Sequence, residues 1–162
     1  MRLLRTAYLE LIGYSGTLRV FRQACASQFA YLPREYAFRD PVFERTSYGG
    51  LVRFENETTV VEMQLDWREE LLQIYVRPAP VSELRSSIHP PGVLLDAIIA
   101  VGGGPRISQE NLLDKDRLAH VISHYAKALP EHGRDVLHGD FGRVVAAQRA
   151  DPEPAQRKWV FK

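Results

Sequence analysis

The strongest constraint on the fold is the run Thr58–Trp67, TTVVEMQLDW. Thr59, Val61, Met63, Leu65 and Trp67 project one way, and Thr58, Val60, Glu62, Gln64 and Asp66 the other, because successive strand side chains leave opposite faces. Leu71–Arg77 repeats the pattern, with Leu72, Ile74 and Val76 apolar and Gln73, Tyr75 and Arg77 mostly polar. One strand earlier, Val52 and Phe54 alternate with Arg53 and Glu55. Three consecutive strands therefore share an apolar face that must be covered. Their charged face can meet water, as antiparallel sheets often allow.

The flanks extend this meander, which spans Pro41 to Pro78. Val42–Ser47 is a predicted first strand, and Tyr48-Gly49-Gly50 a turn in which glycine supplies positive φ. Asn56-Glu57 and Arg68-Glu69-Glu70 are the following turns, short enough to force antiparallel neighbours. Upstream, Leu18, Phe21, Cys25, Phe29 and Leu32 form one helical stripe. Ser15 or Thr17 is expected to cap that helix, and Pro33 to stop it. Residues 1–14 admit a helix, an edge strand or a peripheral lead-in. Pro33–Pro41 reads as a connector that tucks Tyr36 and Phe38 into the core.

After Pro78 the spacing changes. Residues 79–92 are proline-bearing and read as a long surface loop. Val93–Val101 (VLLDAIIAV) predicts a buried helix ended by Gly102-Gly103-Gly104-Pro105. Residues 106–115 predict a loop or one short turn. Asp116–Leu129 is an amphipathic helix that Pro130 ends, unless the proline opens the next turn. Glu131–His138 and Phe141–Arg149 predict further helix, broken at Gly139. Residues 150–162 are expected to be peripheral, with an apolar end at Trp159, Val160 and Phe161. Helix, grouped strands and then helices give an α+β fold: an antiparallel meander of about four strands with helices packed on one face.

The 162 residues suit a single domain. With 21 Lys plus Arg against 20 Asp plus Glu, net charge gives no case for nucleic acid. The single cysteine, Cys25, excludes an intrachain disulfide and points to a reducing, cytoplasmic setting. Glu10 interrupts the early apolar run and no small-residue cleavage pattern follows, so a signal peptide is not expected. No window approaches the roughly 18 apolar residues of a membrane span. The sequence has no internal repeat.

Several short motifs resemble chemistry. Gly102-Gly103-Gly104 lacks the Lys-Ser or Lys-Thr pair of a phosphate loop, and reads as a helix stop. Gly13-Tyr14-Ser15-Gly16-Thr17 approximates a nucleophile elbow with its second glycine displaced by one. His138-Gly139-Asp140 resembles the catalytic loop of aminoglycoside phosphotransferases, but Val145 stands where a metal-binding Asn is needed. His120 and His124 are four apart, close enough to share a metal, with Asp116 a turn earlier. The plainer reading of Asp116, His120, His124 and Lys127 is a solvated face opposite the apolar stripe. His89 and His132 could add a third ligand only by tertiary arrangement. Cys25 lies on an apolar stripe and reads as a small buried hydrophobe.

The chain also resembles a group of uncharacterised small bacterial proteins. The shared pieces are Tyr36-Ala37-Phe38, the strand Val61–Trp67, and Leu137-His138-Gly139-Asp140-Phe141. The similarity spans most of residues 17–145, and Pro130 departs from the uninterrupted helix of that pattern. Some members look similar to immunity-type proteins, which neutralise a toxin by binding it, so the resemblance implies a binding role and transfers no activity.

The sequence offers no catalytic set, no cofactor motif and no complete metal set. The leading expectation is a non-catalytic, cytoplasmic, immunity-like or regulatory domain that binds another protein. Arg53, Glu62, Gln64, Gln73, Tyr75 and Arg77, on the polar sheet face, are the partner-binding candidates, with a solvated face as the plainer reading. The alternative is a small-molecule or metal-dependent enzyme or binding protein with a pocket between sheet and helices. A homodimer formed through the sheet is a third reading. Neither nucleic acid nor membrane is an expected partner.

Overall fold

The alternating runs pair into one sheet. The computed structural model describes residues 2–79 and 92–150, with side chains described from residue 14 onward. Within it, β1 (Val42–Thr46), β2 (Gly49–Glu55), β3 (Thr59–Asp66), β4 (Leu71–Pro78) and β5 (Val93–Leu94) form an antiparallel meander in the order β1-β2-β3-β4-β5. The sheet thus has five strands rather than four. Val93 and Leu94 pair with Val76 and Tyr75, so the expected helix over Val93–Val101 begins two residues late, as α3 (Leu95–Val101).

The apolar row is the core face. Val52, Phe54, Val61, Met63, Leu65, Leu72, Ile74 and Val76 are each at most 2% exposed. Thr59 shares this face, and its buried hydroxyl donates to Val136 O at 2.9 Å. The turns are held by side chains. Asn56 Oδ1 accepts from the Thr58 and Thr59 amides, and Asp66 Oδ1 accepts from Arg68 and Glu69. Such Asx turns compete with continued strand and end it.

Gly49 and Gly50 lie in β2, not in a turn, and neither has positive φ. A Cβ at Gly49 would be built inside the Leu65 carbonyl oxygen of β3. At Gly50 it would press on Leu18 and Phe43. Close backbone approach, not turn geometry, is what these glycines supply.

α1 runs Arg2–Gln28 as one 27-residue helix, roughly 40 Å long at the usual rise. Of the readings open for residues 1–14, residues 2–14 take the helical one: the helix begins at Arg2 and carries the stripe Thr17, Leu18, Phe21, Ala24 and Cys25, all buried. Ser15 and Thr17 are mid-helix, so neither is its cap. Gly13 and Gly16 mimic a break, but at Gly16 a Cβ would crowd the Lys115 side chain, where α1 meets a second helix. A turn at Phe29-Ala30 leads into α2 (Tyr31–Glu35), which contains Pro33 rather than ending before it. Phe38, in the following loop, is 5% exposed, and Tyr36 packs against the core.

α4 (Lys115–His132) packs on α1 and α3 through Leu118, Val121, Ile122, Tyr125, Ala126 and Leu129. Asp114 caps its start, accepting from Arg117 N at 2.8 Å. Pro130 is inside this helix, in its last turn, and so does not terminate it. Gly133 N then donates to Leu129 O at 2.8 Å, and α5 (Arg134–Leu137) and α6 (Gly142–Ala150) follow. Ala150 therefore ends α6 and is not part of a tail. The triple glycine closes α3 against α4, since a Cβ at Gly102 would lie 2.8 Å from His132 Cβ. Of the expected loop over 79–92, residues 80–91 lie outside the described residues, and so do residues 151–162 of the expected tail over 150–162.

Gln109 supplies a link with no sequence signature. β5 covers only the Tyr75–Val76 part of β4, and Gln109 pairs with β4 further along. Its Oε1 accepts from Leu72 N at 3.0 Å, and its Nε2 donates to Leu72 O at 2.8 Å. The amide thus imitates one residue of a neighbouring strand. The same Nε2 donates to Tyr125 Oη at 2.8 Å, and Tyr125 donates to Asp96. Sheet, loop, α3 and α4 are joined at this point.

Candidate functional site

The sheet face away from the described helices carries the polar row. Register places Val42, Arg53, Glu62, Tyr75 and Leu94 side by side across all five strands. Glu44, Leu51, Gln64 and Gln73 form the next row, and Glu55, Val60 and Arg77 lie on the other side. Directly opposed residues of an antiparallel pair share a face. All six residues singled out in sequence, Arg53, Glu62, Gln64, Gln73, Tyr75 and Arg77, are thus brought together.

Glu62 is the centre. Its Oε2 accepts from Arg53 Nε at 3.1 Å and pairs with Arg77 Nη2 at 3.6 Å, while its Oε1 accepts from Gln64 Nε2 at 3.3 Å. The Glu62 and Arg77 side chains are each 13% exposed and that of Arg53 33%, so this cluster is withdrawn from water for a nominally open face. Val60 and Leu51, on the same face, are 1% and 7% exposed. Two guanidinium groups on one carboxylate leave a formal surplus of one positive charge. Glu44 and Glu55 lie on the same face, while Asp66, at the end of β3, pairs with Arg68 at 3.6 Å. Burial, then the neighbouring Glu62 charge, pushes the Tyr75 phenol above its ordinary pKa, so it stays a neutral hydroxyl. Val42, 56% exposed on edge strand β1, completes the face and was not singled out in sequence because its register was not yet fixed.

The other motifs resolve into structure. Ser15 lies within α1, not on a strand-to-helix elbow. Asp140 Oδ1 accepts from Gly142 N at 2.9 Å, so His138-Gly139-Asp140 is the turn that starts α6, with Gly139 at φ +85°. Cys25 is fully buried, and burial pushes its thiol well above the usual range, away from the thiolate a nucleophile needs.

Asp116, His120, His124 and Lys127 are all exposed on α4. The two imidazole rings lie 4.3 Å apart. Among the described residues no group of three or more His, Cys, Asp or Glu could hold a metal ion. His132 packs beside Gly102 and lies 3.9 Å from Glu131 Oε1, and His138 packs on the Tyr36 ring; His89 is outside the described residues.

Between the sheet and the helices, the core residues Phe21, Phe54, Met63, Ile98 and Leu118 are each fully buried. A shallow groove of about 500 Å³ lies elsewhere, lined by Glu70, Asn111, Leu113, Asp114 and Arg117. Arg117 there is spent on the Glu110 and Ser108 carbonyls and bonds the loop before α4. No described helix is long and apolar enough to cross a membrane.

The fold and face define an α+β chain with an open antiparallel sheet and a charge cluster on the side away from the described helices. Comparison with known proteins gives no matching family model, no matching curated protein and no matching solved structure.

Proposed function

We propose that the protein is a non-catalytic, cytoplasmic binding domain that docks another protein on the polar sheet face, in an immunity-like or regulatory role. The observation that carries this reading is the Arg53–Glu62–Arg77 cluster, part-buried on a face where no described helix packs. A polar cluster so placed gains little for stability, because its partial desolvation offsets the attraction. It does suit recognition: arginine and tyrosine are the residue types that anchor interfaces, and Tyr75 lies beside Glu62. The charge pattern specifies the partner's chemistry. An Arg53–Glu62–Arg77 centre with one surplus positive charge, and Glu44 and Glu55 on the same face, complements a carboxylate flanked by basic side chains.

Native capture from the protein's own host tests this. The wild type should retain a stoichiometric second protein at modest salt, and the double variant Tyr75→Ala, Arg77→Ala should lose it while remaining folded. Equal recovery of the same partner by both forms would rule out this face as the site.

A further inference from the structure

We propose that His120 and His124 form a two-point site for a late first-row divalent ion, of the Ni²⁺ or Zn²⁺ type, on the exposed side of α4. The two residues are one helical turn apart, so their side chains lie on one face. Both are exposed, and neither ring has a hydrogen bond or ion pair with a described residue, so their nitrogens are available. The ring centroids are 4.3 Å apart and the ring planes differ by 57°. Two imidazoles bound to one ion through bonds of about 2.1 Å, at angles near 90–110°, hold their centroids about 5 Å apart. A small rotation of each side chain closes the difference.

The rest of the face fixes the character of the site. Asp116 is eight residues from His124, about 12 Å along the helix axis, too far to bind an ion held by both rings. It acts only as a nearby negative charge. Lys127, three residues beyond His124, acts as a nearby positive one. Their effects oppose each other and are screened by salt. With two protein ligands the remaining coordination positions stay open, so the ion is exchangeable and can take a water or an outside donor. This site is independent of the sheet-face reading.

The test is calorimetric titration of the full, untagged chain with Ni²⁺ and with Zn²⁺ at neutral pH. One ion should bind per chain. His120→Ala and His124→Ala should each weaken binding at least tenfold. Asp116→Ala and Lys127→Ala should change it by less than about threefold, as screened charges at this distance do. Alanine is the best helix former, so helix content by circular dichroism should be unchanged and lost binding will not reflect unfolding. Absence of binding up to millimolar ion, or binding that both histidine variants retain, would overturn the proposal.

Discussion

Truncating Gln109 to alanine should destabilise the fold by about 2 kcal/mol. The side chain makes three hydrogen bonds, two to Leu72 and one to the nearly buried Tyr125 hydroxyl. Each contributes about 1 kcal/mol net, and more where a group is left buried without a partner. Water can reach the Leu72 edge from the part-buried side, and Tyr125 keeps Asp96, so the loss stays near the lower figure of ~3 kcal/mol. Freeing the ordered glutamine side chain returns roughly 1 kcal/mol of rotamer entropy. For a chain of this length, the remainder lowers the melting temperature by roughly 4–8 °C. Urea unfolding is the assay, with a lower midpoint at unchanged slope. Gln109→Glu separates the causes. Its carboxylate cannot donate to Leu72 O and sits near Asp96, so it should cost more than alanine at pH 7 and recover on acidification. A loss below about 0.5 kcal/mol for the alanine variant, or an equal loss for both variants at every pH, would refute the bridging role; both figures are set by the same hydrogen-bond scale.

Further outcomes follow from single contacts. Gly49→Ala should abolish soluble expression or lower the melting temperature sharply, because the added Cβ collides with the Leu65 carbonyl rather than with a movable side chain. Tyr31→Phe should be neutral or stabilising by up to about 1 kcal/mol in the same urea assay, since the Tyr31 hydroxyl is buried with no hydrogen-bond partner among the described residues. Stability should fall above about pH 10, because burial raises the Tyr31 and Tyr125 phenols, which then hold protons that the unfolded chain releases. At the acid end, burial pushes Asp135 up, but the Arg143 hydrogen bond and charge and the Val136 amide outweigh it and hold the carboxyl below its ordinary value. Its contribution is therefore present above about pH 4 and lost as pH falls through the lowered value. Arg143→Ala should flatten that acid limb by less than about 1 kcal/mol, since Arg143 is 45% exposed.

Period-two alternation was enough to read the sheet, because Val61, Met63 and Leu65 had only one way to be buried. Short turns then fixed antiparallel order, and the six polar candidates fell on one face. Local breakers misled elsewhere. Pro130 is a poor helix residue, yet α4 runs through it with Leu129 fully buried beside it. Pro33 stops nothing: α1 has already ended at Gln28, and Pro33 lies in the first turn of α2, where proline is tolerated. Strand β5 was invisible, since Val93-Leu94 opens an apolar run that suits a helix equally well. The Gln109 bridge and the Val42 edge position depend on contacts far apart in sequence, which no local pattern encodes.

The most direct measurement is oxidative footprinting of the protein with and without the partner obtained by native capture. If the polar sheet face is the docking surface, Tyr75 and Val42 should be protected several-fold in the complex. His120 and His124 on α4 should react equally in both samples. Protection on α4 with Tyr75 and Val42 unchanged would contradict the proposed surface.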